Sequence, residues 1–153
     1  MFDSNLVLCD GSAVWNYANL VTSNYGTPIS TTRNSGGFAV LDIVEAPVTG
    51  LAVVLILTQA ANAAGDELTT IIEECASENF SSSTPHELGK FDVAATTKGV
   101  ILGSEVVAST IPVVVVMRVT PTRRYLRIDA SCTSGDDFGV VYCYATPYAF
   151  KVL

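Results

Sequence analysis

After Gly36 and Gly37 the apolar and polar positions fall into short runs separated by turn residues: "FAVLDIVE", "LAVVLILTQA", "ELTTIIEECA", "GKFDVAA", "IPVVVVMRVT", "YLRIDASC" and "FGVVYCYA". These runs are rich in β-branched and aromatic residues, so seven or more short strands are predicted, the pattern of an all-β sandwich or barrel. In "ELTTIIEECA" the apolar positions do not keep helical spacing, and Thr69, Thr70, Ile71 and Ile72 favour a strand; a short helix is the alternative. The unbroken runs "LAVVLIL" and "IPVVVV" predict strands covered on both faces, or covered on the second face by a partner chain. A long polar loop, "SENFSSSTPHELGKF", follows the third strand. Residues 1–34 lack sustained periodicity and are rich in Ser, Thr, Asn and Gly, so they are expected to form an extended N-terminal arm, with 35–153 as the folded domain.

The last two runs predict a β-hairpin around "SGDD", with Ser134 opposite Asp137 and Ile128 opposite Cys143. One face then carries Leu126, Ile128 and Ala130 beside Ala145, Cys143 and Val141, which is a core face. The other carries Tyr125, Arg127 and Asp129 beside Thr146, Tyr144 and Tyr142, with Arg127 stacked on Tyr144. Arg123, Arg124 and Arg127 lie within five positions at the entrance to this strand, although the chain has only eight basic residues. Arginine and tyrosine on one outer face suit a protein interface; ordinary solvated charges on a sheet are the alternative.

Composition narrows the classes of function. At 153 residues the chain is most simply one domain with room for a real core. Its mean hydropathy of +0.41 is high for a soluble monomer, so the apolar excess must be buried between two sheets or against other subunits. A net charge of −7 opposes binding to a phosphate backbone, and no nucleic-acid partner is expected. Residues 46–64 carry no charge, yet only Leu51 to Leu57 is continuously apolar, and Pro47, Thr49, Gly50, Thr58, Gln59 and Asn62 would be costly in lipid. A buried strand is therefore expected there, and no membrane partner. The N-terminus has no basic region ahead of an apolar core, so the chain is expected to act in the cytosol or to reach the outside without a secretory signal.

No catalytic or metal-binding constellation emerges. Cys9, Cys75, Cys132 and Cys143 form no C-x-x-C pair, and His86 is the only histidine. In the proposed hairpin Cys132 faces Gly139, too far from Cys143 for a bridge, and buried free thiols are expected. "GDD" and "DFG" at residues 135–139 are polar turn residues without the companion motifs of a polymerase or a kinase. "NFS" at 79–81 fits a glycosylation sequon, but nothing indicates secretion. Glu73 and Glu74 point to opposite faces of a strand and cannot work as an acid/base pair, and Asp136 with Asp137 is too small a ligand set for calcium. The expectation is a protein without cofactor, metal or enzymatic activity.

The order "GLAVVLILTQAANAAGDELTTIIEECASENFSSS", a long loop, and "IPVVVVMRVTPTRRYLRIDASCTSGDDFGVVYCYAT" resembles the cement, or decoration, proteins of tailed-phage heads. The shared features are a strand leading through small residues into a second strand, an "FSS" element at Phe80 to Ser82, and an "RYLRI" strand at Arg124 to Ile128 ahead of a Gly-containing turn and a last strand. The resemblance covers roughly residues 36–146. It implies an antiparallel jelly-roll-like β-sandwich on the outer surface of an icosahedral phage head, assembled in the host cytoplasm, with the major capsid protein and further copies of itself, as a dimer or trimer, for partners. Weak contacts to several capsomers would add through effective concentration. The expected contact residues are Phe2, Leu6, Val7, Trp15 and Tyr17 of the arm and Arg123, Arg124, Tyr125, Arg127, Tyr142 and Tyr144 of the hairpin. Trp15 closing the end of its own sandwich is the alternative for that residue. A different class, a carbohydrate-binding β-sandwich module or virion-surface adhesin, would use Tyr142, Tyr144 and Tyr148 as stacking platforms. A concave groove of exposed tyrosines favours sugar, and a flat apolar patch favours assembly.

Overall fold

The computed structural model describes residues 6–21, 34–35, 38–44, 50–58, 67–80, 83–96, 99–102, 105–108, 113–132 and 137–147. They form twelve strands and one short helix: β1 (Val7–Asn16), α1 (Tyr17–Val21), β2 (Asn34–Ser35), β3 (Phe38–Ala39), β4 (Leu41–Asp42), β5 (Leu51–Leu57), β6 (Glu67–Cys75), β7 (His86–Thr96), β8 (Gly99–Leu102), β9 (Glu105–Ala108), β10 (Val113–Val119), β11 (Tyr125–Cys132) and β12 (Asp137–Pro147). Two antiparallel sheets, ordered β1-β12-β5-β10 and β4-β11-β6-β7-β8-β9, make a sandwich-like arrangement, with β2 and β3 as a separate pair. Within the segment 67–76, Glu67–Cys75 is a strand, as its β-branched run predicts.

Period-two patterning builds the core. Leu51, Val53, Leu55 and Leu57 of β5, and Val141, Cys143 and Ala145 of β12, meet Leu68 and Ile72 of β6 and Leu126, Ile128 and Ala130 of β11 in one buried cluster. Trp15 at the end of β1 and Leu20 of α1 join it, and α1 packs on β11, so the helix spans from one sheet to the other at this end. Asn16 caps the helix by accepting the Asn19 N–H at 2.9 Å on its side-chain oxygen.

Two expectations need correction. Residues 120–147 do not form a hairpin: β11 pairs with β6 and β4, whereas β12 pairs with β5 and β1 in the opposite sheet. Ile128 faces Ile72 across the ladder, and Cys143 faces Leu55 on one side and Cys9 on the other. Alternation assigned the core faces of both strands correctly but carries no information about which strand lies beside which, because either apolar face can be buried side by side or across a sandwich. The "SGDD" turn lies outside the described residues up to Asp137. Arg127 accordingly does not stack on Tyr144. The run "IPVVVV" is also not covered on both faces within the chain, since Val114 and Val116 of β10 are 53% and 58% exposed, which leaves the other expectation, cover of the second face by a partner chain, as it was.

Candidate interaction surface

Strand order places outward residues of the four-stranded sheet in three rows, one of them made of Thr146, Ala52 and the exposed Arg118 ahead of the other two. The second runs Val7, Tyr144, Val54, Val116; the third runs Asp10, Tyr142, Ile56, Val114. Asp10 is the sole ionic group among these last eight. Ala52 and Val54, in the middle of the sheet, are buried, while Val114, Val116 and Tyr142 remain open. A groove lined by Val7, Cys9, Asp10, Ile56, Tyr142 and Tyr144 crosses the β1 side of this face.

The Tyr142 ring lies across Gly11, whose φ of +78° and missing Cβ both serve this contact; a Cβ there would run into the ring. One ring face is thus covered by backbone, and the residue is still 40% exposed. On the far side of the sheet, Met117 of β10 packs over Gly89 of β7, close enough that a side chain at 89 would displace its sulfur. Among the described strands β10 hydrogen-bonds only to β5, in unbroken one-to-one register, and no described strand pairs with its other edge.

The arginine cluster occupies the other sheet and works mainly inside the molecule. Arg127 is 3% exposed; its Nε donates to Glu73 Oε2 at 2.8 Å, and its guanidinium lies under the Phe80 ring at 4.2 Å. Arg124 makes two 2.8 Å hydrogen bonds to Asp42 and sits over Tyr125, clasping β4 to the end of β11. Arg123 donates from its side chain to the Thr84 carbonyl at 2.8 Å. Its backbone N–H, at 3.0 Å, joins the Thr122 N–H at 2.6 Å on Glu74 Oε2. The Thr122 hydroxyl and His86 Nδ1 meet Oε1 of the same carboxylate at 2.8 and 3.1 Å. Burial alone would raise the Glu74 pKa, but these Thr122, Arg123 and His86 hydrogen bonds outweigh it and hold the carboxyl below its ordinary value.

The expected contact residues therefore separate. Phe2 lies outside the described residues. Trp15 is fully buried in the core cluster, and its indole N–H has no well-formed hydrogen bond and rests against the Cys9 thiol. Leu6 packs on the core margin and Tyr17 is half-buried on α1. Tyr125 packs against the small cluster of Val40, Cys75 and Phe80. Val7, Tyr142 and Tyr144 come together on the open face, where Val114 and Val116 join them. Those two valines carry no sequence signal, because the run from Val113 to Met117 is apolar at every position and does not mark which side is open. Glu74 does carry one: it falls in phase with the buried Leu68, Thr70 and Ile72, so its carboxylate requires internal partners.

Among the described residues no group of three or more His, Cys, Asp or Glu side chains could hold a metal ion, and no described helix is long and apolar enough to cross a membrane. No family model matches the chain, and no curated protein or solved structure matches it either.

Proposed function

We propose that this chain is a structural subunit that adheres to a protein shell, a cement or decoration protein on the outside of a tailed-phage head, with a jelly-roll-like winding of its two sheets. The observation that carries the reading is the apolar outer face of the four-stranded sheet, Val7, Tyr142, Tyr144, Val54, Ile56, Val114 and Val116, which ends at β10. The charges of this face, Asp10 and Arg118, lie on its two outer strands, and burying its exposed valines and tyrosine against protein is favourable by about 25 cal/mol per Å² of apolar surface. The partners in this reading are the major capsid protein and further copies of the chain. Contact falls to the β1-β12-β5-β10 face, because Trp15 and Arg127 are occupied internally. Each contact is modest, and bridging several shell subunits multiplies them.

A second reading, a carbohydrate-binding module or adhesin, is favoured by a specific feature. Tyr142, 40% exposed, lines a groove with Asp10 and Tyr144, side chains of the kind that stack a sugar ring and accept a hydroxyl hydrogen bond. Quantifying the chain against the major shell protein in purified particles tests the first reading. A simple ratio set by shell symmetry is expected. Absence from particles, together with saturable binding of an oligosaccharide by the purified chain, would replace it with the second.

A further inference from the structure

We propose that Cys9 and Cys143 are a paired redox site, able to form a cross-strand disulfide that fastens β1 to β12. The two residues sit directly opposite each other in the antiparallel ladder. Directly opposed residues there have Cα atoms about 4.5 to 5.5 Å apart, inside the range a disulfide spans. Both side chains face the same core, at 1% and 0% exposure. The register shift between Val7 and Cys9 is what allows this: the extra residue turns Leu8 and Cys9 inward together, opposite Cys143. The Cys9 thiol already leans over β12, donating to the Val141 carbonyl at 2.9 Å. Burial pushes the Cys9 thiol up to about 11, and burial followed by the neighbouring Cys9 raises Cys143, so both stay protonated and reduced in a thiol-rich compartment. Cys75 and Cys132 lie in the other sheet, and Cys75 is engaged by Ser83.

The oxidant is a small-molecule disulfide such as oxidised glutathione. One protein thiolate attacks a glutathione sulfur, forming a mixed disulfide and expelling one glutathione thiolate. The second protein thiolate then attacks the protein-bound sulfur and expels the other. Two protein thiols become one disulfide, one oxidised glutathione becomes two reduced ones, and the two protons pass to the departing thiolates. Access comes from opening of β1, an edge strand whose register shifts at three places along its length.

The test is to refold the full chain from denaturant in buffers of increasing oxidised to reduced glutathione ratio, so that burial sets no kinetic barrier. Thiols are then alkylated under denaturing conditions and the products read by intact mass and peptide mapping. Expected are a fall from four alkylatable thiols to two, a peptide pair joined through Cys9 and Cys143, and a higher Tm reversed by dithiothreitol. Cys132→Ser should leave the linkage intact. Retention of four thiols in the most oxidising buffer, or linkage of any other pair, overturns the proposal. Neither result depends on what the outer face binds.

Discussion

The Arg127 guanidinium lies 4.2 Å from the centre of the Phe80 ring while its Nε holds Glu73 at 2.8 Å, so one aromatic side chain roofs an ion pair on the outer side of the six-stranded sheet. Phe80 adopts φ +53°, a left-handed conformation uncommon for an aromatic residue, and its N–H bonds to the Ser77 carbonyl at 3.1 Å. The loop accepts that strain because the ring, only 6% exposed, packs with Val40 and Cys75 and shields the pair from water.

Truncating the roof should therefore cost more than its own area. Phe80→Ala is expected to destabilise by about 4 to 5 kcal/mol, the upper part of the range for a buried phenylalanine. Arg127→Ala should cost about 3 kcal/mol, because it strands Glu73, whereas Arg127→Met with Glu73→Leu should come close to neutral. Urea unfolding of the single and double variants measures each value, and equal losses in single and double variants would refute the coupling.

The Glu74 carboxylate predicts an acid limb. Its folded pKa lies below the ordinary 4.5, so the unfolded chain takes up the proton first as pH falls. The stabilisation is complete above the unfolded value and is lost as pH drops through the folded one. Glu74→Gln should lose about 2 kcal/mol at pH 7, the scale for hydrogen bonds to a charged group, and should flatten the pH dependence below 5. Chemical denaturation from pH 7 to pH 3 compares the two proteins.

Thr70 is fully buried in β6, and its hydroxyl has no hydrogen-bond partner. Thr70→Val keeps the β-branched shape and removes the stranded polar atom, so a gain of about 1 kcal/mol is expected. A loss in thermal or urea unfolding would show that the hydroxyl is satisfied.

Gly11→Ala places a methyl group where the Tyr142 ring lies and at a φ of +78°. A loss of about 1 to 2 kcal/mol is expected from the left-handed backbone alone. The double variant with Tyr142→Ala should recover the steric part only, a difference that a double-mutant cycle reads directly.

Val114→Lys with Val116→Lys tests the adhesive face. These exposed edge positions should change stability by within about 0.5 kcal/mol, since lysine is common on protected edges. Co-sedimentation with shells lacking the chain should fall at least tenfold. Unchanged sedimentation at unchanged Tm would remove this face from the contact.

Alternation along the chain by itself determined which residues face inward. Leu126, Ile128, Ala130, Val141, Cys143 and Ala145 are all core, as period two requires of strands with one buried face. The same pattern located six strands, with the run "FAVLDIVE" divided between β3 and β4, and, with few ionisable clusters in the chain, left an adhesive role as the expectation. Lateral neighbours were decided only by the tertiary structure, because pairing is made by backbone groups that every residue shares. That choice put β11 and β12 in opposite sheets, made β1 a strand from residues without clear periodicity, and set Arg127 beside Glu73 under the Phe80 ring on the outer side of its sheet. It also brought Cys9 opposite Cys143 and set the Tyr142 row beside the open valines of β10, relationships between residues far apart in sequence that no local pattern encodes.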